Sequence, residues 1–225
     1  MPVFVSPQSV AGALFEAKAV GFNFGKVIRF KSGILSPGAY NNNRLLPSHP
    51  TQWSKIINVM SAVVNDFKND FTVVASVATG GIAHGVALAR VLKLPHFIVK
   101  KEEKTSHGIG GMIDGDTTLL LGARVLMVED MSSTFESTLK AIPKIEFYGA
   151  KVTRTLAIST WGFPEFTKNV GDHNVHVLCT GNQFLEHGRR TLLLNLRYHT
   201  LLESWLENPH DDAWVDEKWS MPAEK

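Results

Sequence analysis

The stretch FTVVASVATGGIAHGVALARVLKLPHFIVK, residues 71–100, places a segment with helical spacing between two short apolar runs. The runs FTVVAS and HFIVK have the length and apolar character of buried strands, and GVALARVL between them is typical of a helix. A strand, a helix and a second strand in this order form the unit from which parallel sheets are built. The stretch therefore predicts an α/β protein.

The alternation of strands and helices continues on both sides of this unit. RVLMVED (residues 124–130) is apolar on both faces, as expected of a strand that helices cover from both sides. Further helices are predicted in residues 6–21, 51–67, 135–150 and 184–208, and further strands in 23–30, 151–160 and 174–179. Residues 31–50, dense in Gly, Pro, Asn and Ser, indicate an irregular surface segment. The predicted fold is a mostly parallel central sheet covered by helices.

The composition is that of an ordinary globular protein. The chain has 225 residues, of which 44% are hydrophobic and 20% charged, and this balance excludes disordered and fibrous classes. A formal net charge of +2 is too small to indicate nonspecific nucleic-acid binding. The single cysteine, Cys179, excludes a disulfide framework, and its apolar surroundings favour a buried structural thiol. Without a membrane-length apolar run or a secretory signal, we expect a cytoplasmic protein with neither a nucleic-acid nor a membrane partner.

The predicted strand at residues 124–130 ends in two adjacent carboxylates, Glu129 and Asp130, and a cluster of hydroxyl residues follows. In open parallel sheets, ligands bind beyond the carboxyl ends of the strands, where helix N-termini offer free N–H groups to anions. Carboxylates accept hydrogen bonds from sugar hydroxyls and hydroxyls donate to phosphate, so the stretch suits a phosphorylated sugar. The alternative is structural: the acids cap the next helix and the serines solvate a turn.

Two further segments follow predicted strands. SVATGGIAHG supplies Gly80 and Gly81, which let a backbone approach an anion, although such a turn also serves as a tight connection. VKKEEKTSHGIGG predicts a mobile, glycine-rich lid that carries Lys100, Lys101, Lys104 and His107. Cations on a lid stabilise the charge of a departing pyrophosphate; the alternative is a solvated charged loop. The position of this run between two turns that suit anions favours the functional interpretation.

Together these segments resemble the orotate phosphoribosyltransferases, which are type I phosphoribosyltransferases. VLMVEDMSSTFEST (residues 125–138) is similar to the family's phosphoribosyl pyrophosphate motif, and SVATGGI (residues 76–82) resembles its pyrophosphate-binding loop. FKSGILSPGAYNN (residues 30–42) is similar to the N-terminal signature of the orotate branch, and KKEEKTSHGIGG (residues 100–111) is similar to its basic lid. These matches follow the order that the family has.

The resemblance implies transfer of a phosphoribosyl group from phosphoribosyl pyrophosphate to orotate, giving orotidine 5′-phosphate and pyrophosphate in pyrimidine nucleotide biosynthesis. It implies a single domain over residues 1–225, with residues 1–50 as an N-terminal hood and 208–225 as a C-terminal tail. It also implies a homodimer in which the lid reaches the neighbouring active site. We expect Mg²⁺ to be bound mainly through the substrate, without a metal site made by the protein alone.

The resemblance also assigns roles to individual residues. The expected catalytic residues are Lys101, Lys104, His107 and Asp130. Glu129 and Asp130 would hold the ribose hydroxyls. The other expected ligand-binding residues are Ser133, Thr134 and Ser137 at the 5′-phosphate, Thr79 and Gly80 at the pyrophosphate, Lys31 and Lys100, and Tyr40 near the base.

Three residues depart from the family pattern. Phe135 stands where glycine is usual and Glu136 where a small residue is usual, so we expect a weakened phosphate site unless Phe135 packs into the core. Trp161 stands near the position where the family commonly carries an arginine that helps to hold orotate, and a tryptophan there favours stacking instead. The leading hypothesis is an orotate phosphoribosyltransferase. The alternatives are a phosphoribosyltransferase for another base and a noncatalytic ligand-binding protein on the same fold.

Overall fold

The computed structural model describes residues 7–101 and 111–215, without the side chains of residues 7 and 8. The hood begins with helix α1 (Pro7–Glu16), whose proline lies in the first turn, where its missing N–H has no intrahelical partner to lose. Four short strands follow, namely β1 (Val20–Phe22), β2 (Ile28–Arg29), β3 (Leu35–Ser36) and β4 (Ala39–Asn41). β1 pairs with β4 and β2 with β3, both antiparallel, and a 3-10 helix at Asn43–Ser48 completes the hood.

The rest of the described chain forms one sheet and its covering helices. Its elements are α2 (Pro50–Asn65), β5 (Val73–Val77), α3 (Ile82–Leu92), β6 (His96–Val99), β7 (Ile113–Asp114), β8 (Arg124–Met131), α4 (Glu136–Glu146), β9 (Lys151–Thr160), α5 (Pro164–Val170), β10 (Val175–Thr180), α6 (Gly181–Arg190) and α7 (Leu196–Glu207). The sheet order is β10-β9-β8-β5-β6-β7, and all neighbours are parallel except β6 and β7. The predicted, mostly parallel sheet is confirmed. The carboxyl ends of β5, β6 and β8 therefore lie side by side.

The core consists of two apolar layers, one on each face of the sheet. On β8, Leu126 and Val128 belong to one layer, whereas Val125 and Met127 belong to the other. Helices α1, α2, α3 and α6 pack on the first face and α4 on the second. Because successive side chains of a strand point to opposite faces, a strand that is covered on both sides must be apolar throughout. This explains the run RVLMV.

The structure corrects several predicted element boundaries. The helix predicted over residues 184–208 is two helices, because α6 ends at Arg190 and a new N-cap forms at Asn195, whose side chain accepts from the Tyr198 N–H. The strand predicted over residues 23–30 is only β2. Residues 31–50, predicted as irregular, contain two short strands and the 3-10 helix, and bury Ile34 and Leu46. Helix α5 and strand β1 were not predicted.

Cys179 is buried, as predicted for a structural thiol. Burial raises the pKa of its thiol to about 12. Among residues 7–101 and 111–215, none of the helices combines the length and the apolar character that crossing a membrane requires.

Candidate active site

The hood closes over the carboxyl ends of β5, β6 and β8 and encloses a cavity of about 290 Å³. Most of the site residues predicted from the sequence line it. They are Lys31, Thr79, Gly80, Lys101, Glu129, Asp130, Ser133 and Ser137. The cavity therefore brings together the hood, the start of the lid segment and the turns after β5 and β8. We call these turns the β5 turn (residues 78–81) and the β8 turn (residues 132–135).

The two carboxylates at the end of β8 lie in the cavity wall. Glu129 is only 5% exposed, and burial together with the neighbouring Asp130 raises the pKa of Glu129 to about 8. The Thr138 hydroxyl lies 3.0 Å from Glu129 Oε1 and favours the ionised form, which opposes this shift in part. Burial also raises the pKa of Asp130, whereas Arg44 lowers it from 3.9 Å away. One of two adjacent acids is thus neutral at neutral pH in the ligand-free protein.

The β5 turn has no room for side chains at its two glycines. A Cβ at Gly80 would overlap the Asp130 carboxylate, and a Cβ at Gly81 would lie 2.5 Å from the carbonyl oxygen of Val128. The turn therefore lies directly against the end of β8, with the Gly80 backbone beside the Asp130 carboxylate. The Ala78–Thr79 peptide in this turn is cis.

The β8 turn accommodates Phe135 by directing the ring away from the cavity. Phe135 has a φ of +65° and is 2% exposed, and its ring packs on Phe166 at 6.0 Å and His173 at 5.8 Å between centroids. The Phe135 N–H donates to Ser132 Oγ at 3.1 Å, so this amide already has a partner. The ring therefore packs into the core, which is the case in which we expected the phosphate site to stay open.

Glu136 also lies outside the cavity. It is the first residue of α4, and its carboxylate pairs with Lys140 one turn later at 3.6 Å. Helix α4 contributes Ser137 to the cavity lining instead. The expected repulsion between Glu136 and a phosphate is therefore reduced.

Lys100 and Lys101, the first two lysines of the lid segment, point in different directions. Lys101 lines the cavity, whereas Lys100 Nζ lies 2.6 Å from Asp114 Oδ1 on β7 and does not line it. Lys144 of α4 donates to the carbonyl oxygens of both, at 2.9 Å for Lys100 and 2.7 Å for Lys101. The expectation that Lys100 contacts the ligand is thus not supported, because consecutive side chains of an extended segment diverge. Lys104 and His107 lie outside the described residues, and their roles stay predictions.

Tyr40 and Thr134 were expected to contact the ligand, and neither lines the cavity. Tyr40 pairs with Gly21 of β1, and its ring occupies the space that a side chain at Gly21 would fill. Because side chains alternate along β4, the next residue, Asn41, faces the cavity instead. The Thr134 carbonyl accepts from Asn169 Nδ2 at 2.7 Å, which ties the β8 turn to α5.

Trp161 is part of the core rather than a surface for stacking a base. It is 1% exposed, and its ring packs on Trp205 at 5.2 Å and Phe184 at 5.5 Å. Phe30 stacks on Trp161 at 6.4 Å, and it is Phe30 that lines the cavity. The expectation that Trp161 contacts the base is not supported, because Phe30 lies between Trp161 and the cavity.

Several lining residues come from the hood and were not predicted. They are Phe30, Ser32, Asn41, Asn42 and Arg44. Behind them, Asn43 Nδ2 donates to the carbonyl oxygen of Asp130 at 2.6 Å and to Ser159 Oγ at 2.7 Å. Four of these lining residues, Phe30, Ser32, Asn41 and Asn42, lie within the signature FKSGILSPGAYNN (residues 30–42), which had assigned them no role. Arg44 lies just beyond the signature, in the segment that we interpreted as irregular. The burial of Asn43 depends on its contacts with β8 and β9.

The donor set of the cavity suits a metal ion that arrives with a ligand. Within residues 7–101 and 111–215, no group of three or more His, Cys, Asp or Glu side chains is placed to hold a metal. Glu129 and Asp130 are two adjacent carboxylates, which alone do not make a complete site for Mg²⁺. Mg²⁺ is commonly bound by one or two protein carboxylates and completes its coordination shell with substrate phosphates and water. Glu129 and Asp130 fit that arrangement.

A second, larger depression of about 540 Å³ lies at the amino ends of β8 and β9. It is open and polar, and the Arg154–Asp70 ion pair at 2.6 Å occupies part of it. None of the predicted site residues lines it. Since ligands of open parallel sheets bind at the carboxyl ends of the strands, we assign the site to the smaller cavity under the hood.

Known proteins resemble this chain in sequence and in fold. The sequence profile of the family described as "Phosphoribosyl transferase domain" matches residues 46–176. The orotate phosphoribosyltransferase of Lactococcus lactis is 30% identical over 209 residues, which cover 92% of this chain and 97% of that protein. The orotate phosphoribosyltransferase of Coxiella burnetii is 36% identical over 167 residues, which cover 74% of this chain and 78% of that protein.

Solved structures share the fold. The crystal structure of orotate phosphoribosyltransferase from Aeropyrum pernix has a TM-score of 0.67 at 23% identity, covering 83% of this chain and 99% of that chain. Leishmania donovani UMP synthase has a TM-score of 0.75 at 20% identity, covering 90% of this chain and 42% of that longer chain. From the family profile over more than half of its length and the relatives at this identity, the chain belongs to the phosphoribosyltransferase family and, within it, to the orotate phosphoribosyltransferases.

Proposed function

We propose that the protein transfers the phosphoribosyl group of phosphoribosyl pyrophosphate to orotate, releasing pyrophosphate and forming orotidine 5′-phosphate. The observation that carries this proposal is that Glu129 and Asp130 line the same cavity as the glycine backbone of the β5 turn, which lies directly beside the Asp130 carboxylate. Acids that accept from ribose hydroxyls and a turn that admits a pyrophosphate are thus neighbours in one cavity. Relatives that align with nearly the whole chain are named orotate phosphoribosyltransferase.

Each wall of the cavity has a distinct role in this proposal. Glu129 and Asp130 accept hydrogen bonds from the ribose hydroxyls, and Ser133 and Ser137 donate to the 5′-phosphate beside the first amides of α4. Thr79 and Gly80 contact the pyrophosphate, and Lys31 reaches the ligand from the hood. Lys101 stabilises the charge that develops on the departing pyrophosphate. The reaction needs no covalent nucleophile, since positioning and charge stabilisation lower the barrier.

Mg²⁺ bound mainly through the substrate would add positive charge at the pyrophosphate and the ribose hydroxyls. The protein's contribution there is the acid pair. Glu129 is protonated at neutral pH when the cavity holds no ligand, because burial and Asp130 raise its pKa to about 8. A Mg²⁺ ion close to the acid pair would favour the ionised form of Glu129, so binding of the ion with the substrate would release a proton.

The proposal is tested by incubating the purified protein with Mg²⁺, phosphoribosyl pyrophosphate and orotate. Loss of orotate absorbance should accompany pyrophosphate release in equal amounts. Asp130→Asn should abolish turnover, whereas Asp66→Asn, an exposed acid that ends α2 away from the cavity, should leave it unchanged. Lys104→Ala tests the role predicted for the lid. Absence of pyrophosphate release from the wild-type protein would overturn the proposal.

A phosphoribosyltransferase for another base is the second candidate. Its support is that the core position of Trp161 offers no guanidinium to an acceptor carboxylate. Screening other bases for pyrophosphate release separates this candidate from the first. The noncatalytic alternative was motivated by Phe135 and Glu136, and both side chains lie outside the cavity, so that motive is removed.

We further propose that the protein acts as a cytoplasmic homodimer in pyrimidine nucleotide biosynthesis. The exposed apolar residues Val86 and Val91 on α3 are consistent with a surface that a second copy covers. Light scattering coupled to size-exclusion chromatography measures the mass directly. A monomer at working concentrations would contradict the dimer.

A further inference from the structure

Arg44 is held at the cavity by the residue before it. Asn43 is fully buried and donates to the carbonyl oxygen of Asp130 at 2.6 Å and to Ser159 Oγ at 2.7 Å. These two bonds fasten the start of the 3-10 helix to the ends of β8 and β9. The direction in which the next side chain leaves the backbone is therefore fixed, and Arg44 lies on the cavity wall beside Asp130.

The guanidinium of Arg44 has donors to spare. Its Nε lies 3.9 Å from Asp130 Oδ2, which is the limit of an ion pair, and the side chain is 51% exposed. Within the described residues, no hydrogen bond uses an Arg44 donor. A planar group with five N–H donors thus stands at the cavity with one weak ion pair.

The other cations of the cavity differ from Arg44 in shape. Lys31 and Lys101 also line it, and each presents a compact ammonium that suits phosphate as a point charge. A guanidinium instead matches a carboxylate through two parallel hydrogen bonds. Trp161 is buried behind Phe30 and does not line the cavity. Among the described lining residues, Arg44 is therefore the one suited to paired recognition of a carboxylate.

We propose that Arg44 recognises the carboxylate of the acceptor base and sets the preference for orotate over uracil, which is the same ring without that group. This inference rests on the proposed function. Arg44 projects from the hood, the wall that also supplies Phe30 and Asn41, while the ribose acids lie on β8. When ribose hydroxyls engage Asp130, the guanidinium exchanges its weak ion pair for the acceptor carboxylate.

The test compares two acceptors in three variants. Arg44→Met removes the guanidinium and keeps an apolar stem, Arg44→Lys keeps the charge without the fork, and Arg29→Met is the control. Arg29 is an exposed hood residue of β2 that does not line the cavity, so its loss changes the net charge equally. For each protein, kcat/KM is measured with orotate and with uracil, and the Kd values of orotate and phosphoribosyl pyrophosphate are measured by calorimetry.

Arg44→Met should lower kcat/KM for orotate about 10- to 100-fold, the effect of one hydrogen-bonded charge pair, and change that for uracil less than about twofold. The kcat/KM of Arg44→Lys for orotate should lie between the values of Arg44→Met and the wild-type protein. Arg29→Met should match the wild-type protein with both acceptors. Equal losses with both acceptors, or a weaker Kd for phosphoribosyl pyrophosphate alone, would overturn the assignment. If wild-type protein binds orotate without turnover, the proposed function fails, and loss of that binding in Arg44→Met would still support Arg44. If wild-type protein does not bind orotate, both proposals fail.

Discussion

The β5 turn and the β8 turn both leave a buried parallel strand and both lead into a helix, yet they meet opposite steric limits. At the β5 turn, a single methyl at Gly80 would overlap the Asp130 carboxylate. At the β8 turn, a whole phenyl ring at Phe135 is buried without entering the cavity. The difference lies in what faces each turn. The β5 turn faces the end of a neighbouring strand, whereas Phe135 faces the apolar side of α5.

The comparison teaches that glycine is required at a ligand-binding turn only where another part of the protein occupies the space of a side chain. A left-handed backbone alone does not exclude a bulky residue. Phe135 adopts a φ of +65° at a cost of about 1 to 2 kcal/mol, which the burial of its ring offsets. Four experiments of decreasing expected effect test this contrast.

Phe135→Ala should destabilise the protein by about 3 to 5 kcal/mol, because a buried ring is replaced by a cavity next to Phe166 and His173. Phe135→Gly should lose about 1 kcal/mol less than Phe135→Ala, since glycine tolerates the left-handed backbone. Urea unfolding monitored by circular dichroism measures both. Turnover should change little in either variant below the unfolding transition. A stable Phe135→Ala protein with lost substrate binding would place the ring in the ligand site instead.

Gly80→Ala should lower kcat/KM about 100-fold, because the methyl displaces either the Asp130 carboxylate or the β5 turn by about an ångström. Steady-state pyrophosphate release measures the loss. Gly12→Ala is the matched control: it lies in α1, where the added methyl would be 3.6 Å from the His187 ring. Activity of Gly80→Ala close to the wild-type value would show that the two turns do not differ in the way described.

The raised pKa of Glu129 predicts how the free energy of unfolding depends on pH. Its pKa is about 8 in the folded protein against 4.5 in the unfolded chain, so between these values only the folded state keeps the proton. The free energy of unfolding of the ligand-free protein should therefore fall as pH rises through this window, by at most about 1.4 kcal/mol per pH unit from this residue. Urea unfolding at several pH values measures the slope.

Glu129→Gln should reduce that slope, leaving the part due to Asp130, whose pKa is also raised. Glu136→Gln is the control, because this acid is exposed and paired with Lys140 outside the cavity. An unchanged slope in Glu129→Gln, or an equal reduction in Glu136→Gln, would contradict the assignment.

Lys144→Met should have the smallest effect, a loss of about three- to tenfold in kcat/KM. The variant removes two charge-assisted hydrogen bonds that hold the backbone of Lys100 and Lys101, and so loosens Lys101 without changing the cavity lining. Lys140→Met on the same helix is the control, since Lys140 is exposed and pairs with Glu136 of its own helix. Identical kinetics in the two variants would show that Lys144 does not position Lys101.

The elements predicted best from the sequence are those whose pattern is repeated along the chain. Strands β5, β6 and β8 are largely apolar, and their parallel pairing follows from the helices between them. The acid pair and the glycines of the β5 turn were also identified, because they directly follow such strands. The hood was expected only from the family resemblance, and its internal structure was not predicted, since its short strands and 3-10 helix are stabilised by contacts with β8 and β9 that no local pattern encodes.

The parallel α/β core, the location of the site at the carboxyl ends of the strands and the family resemblance could all be predicted from the chain, because they depend on hydrophobic periodicity and on short motifs along it. Folding, by contrast, set which neighbouring residues face the cavity. It turned Lys101 inward and Lys100 toward Asp114, buried Trp161 behind Phe30, and brought Arg44 beside Asp130. These choices depend on which distant segment occupies the space next to each side chain, and that space exists only once the chain has folded.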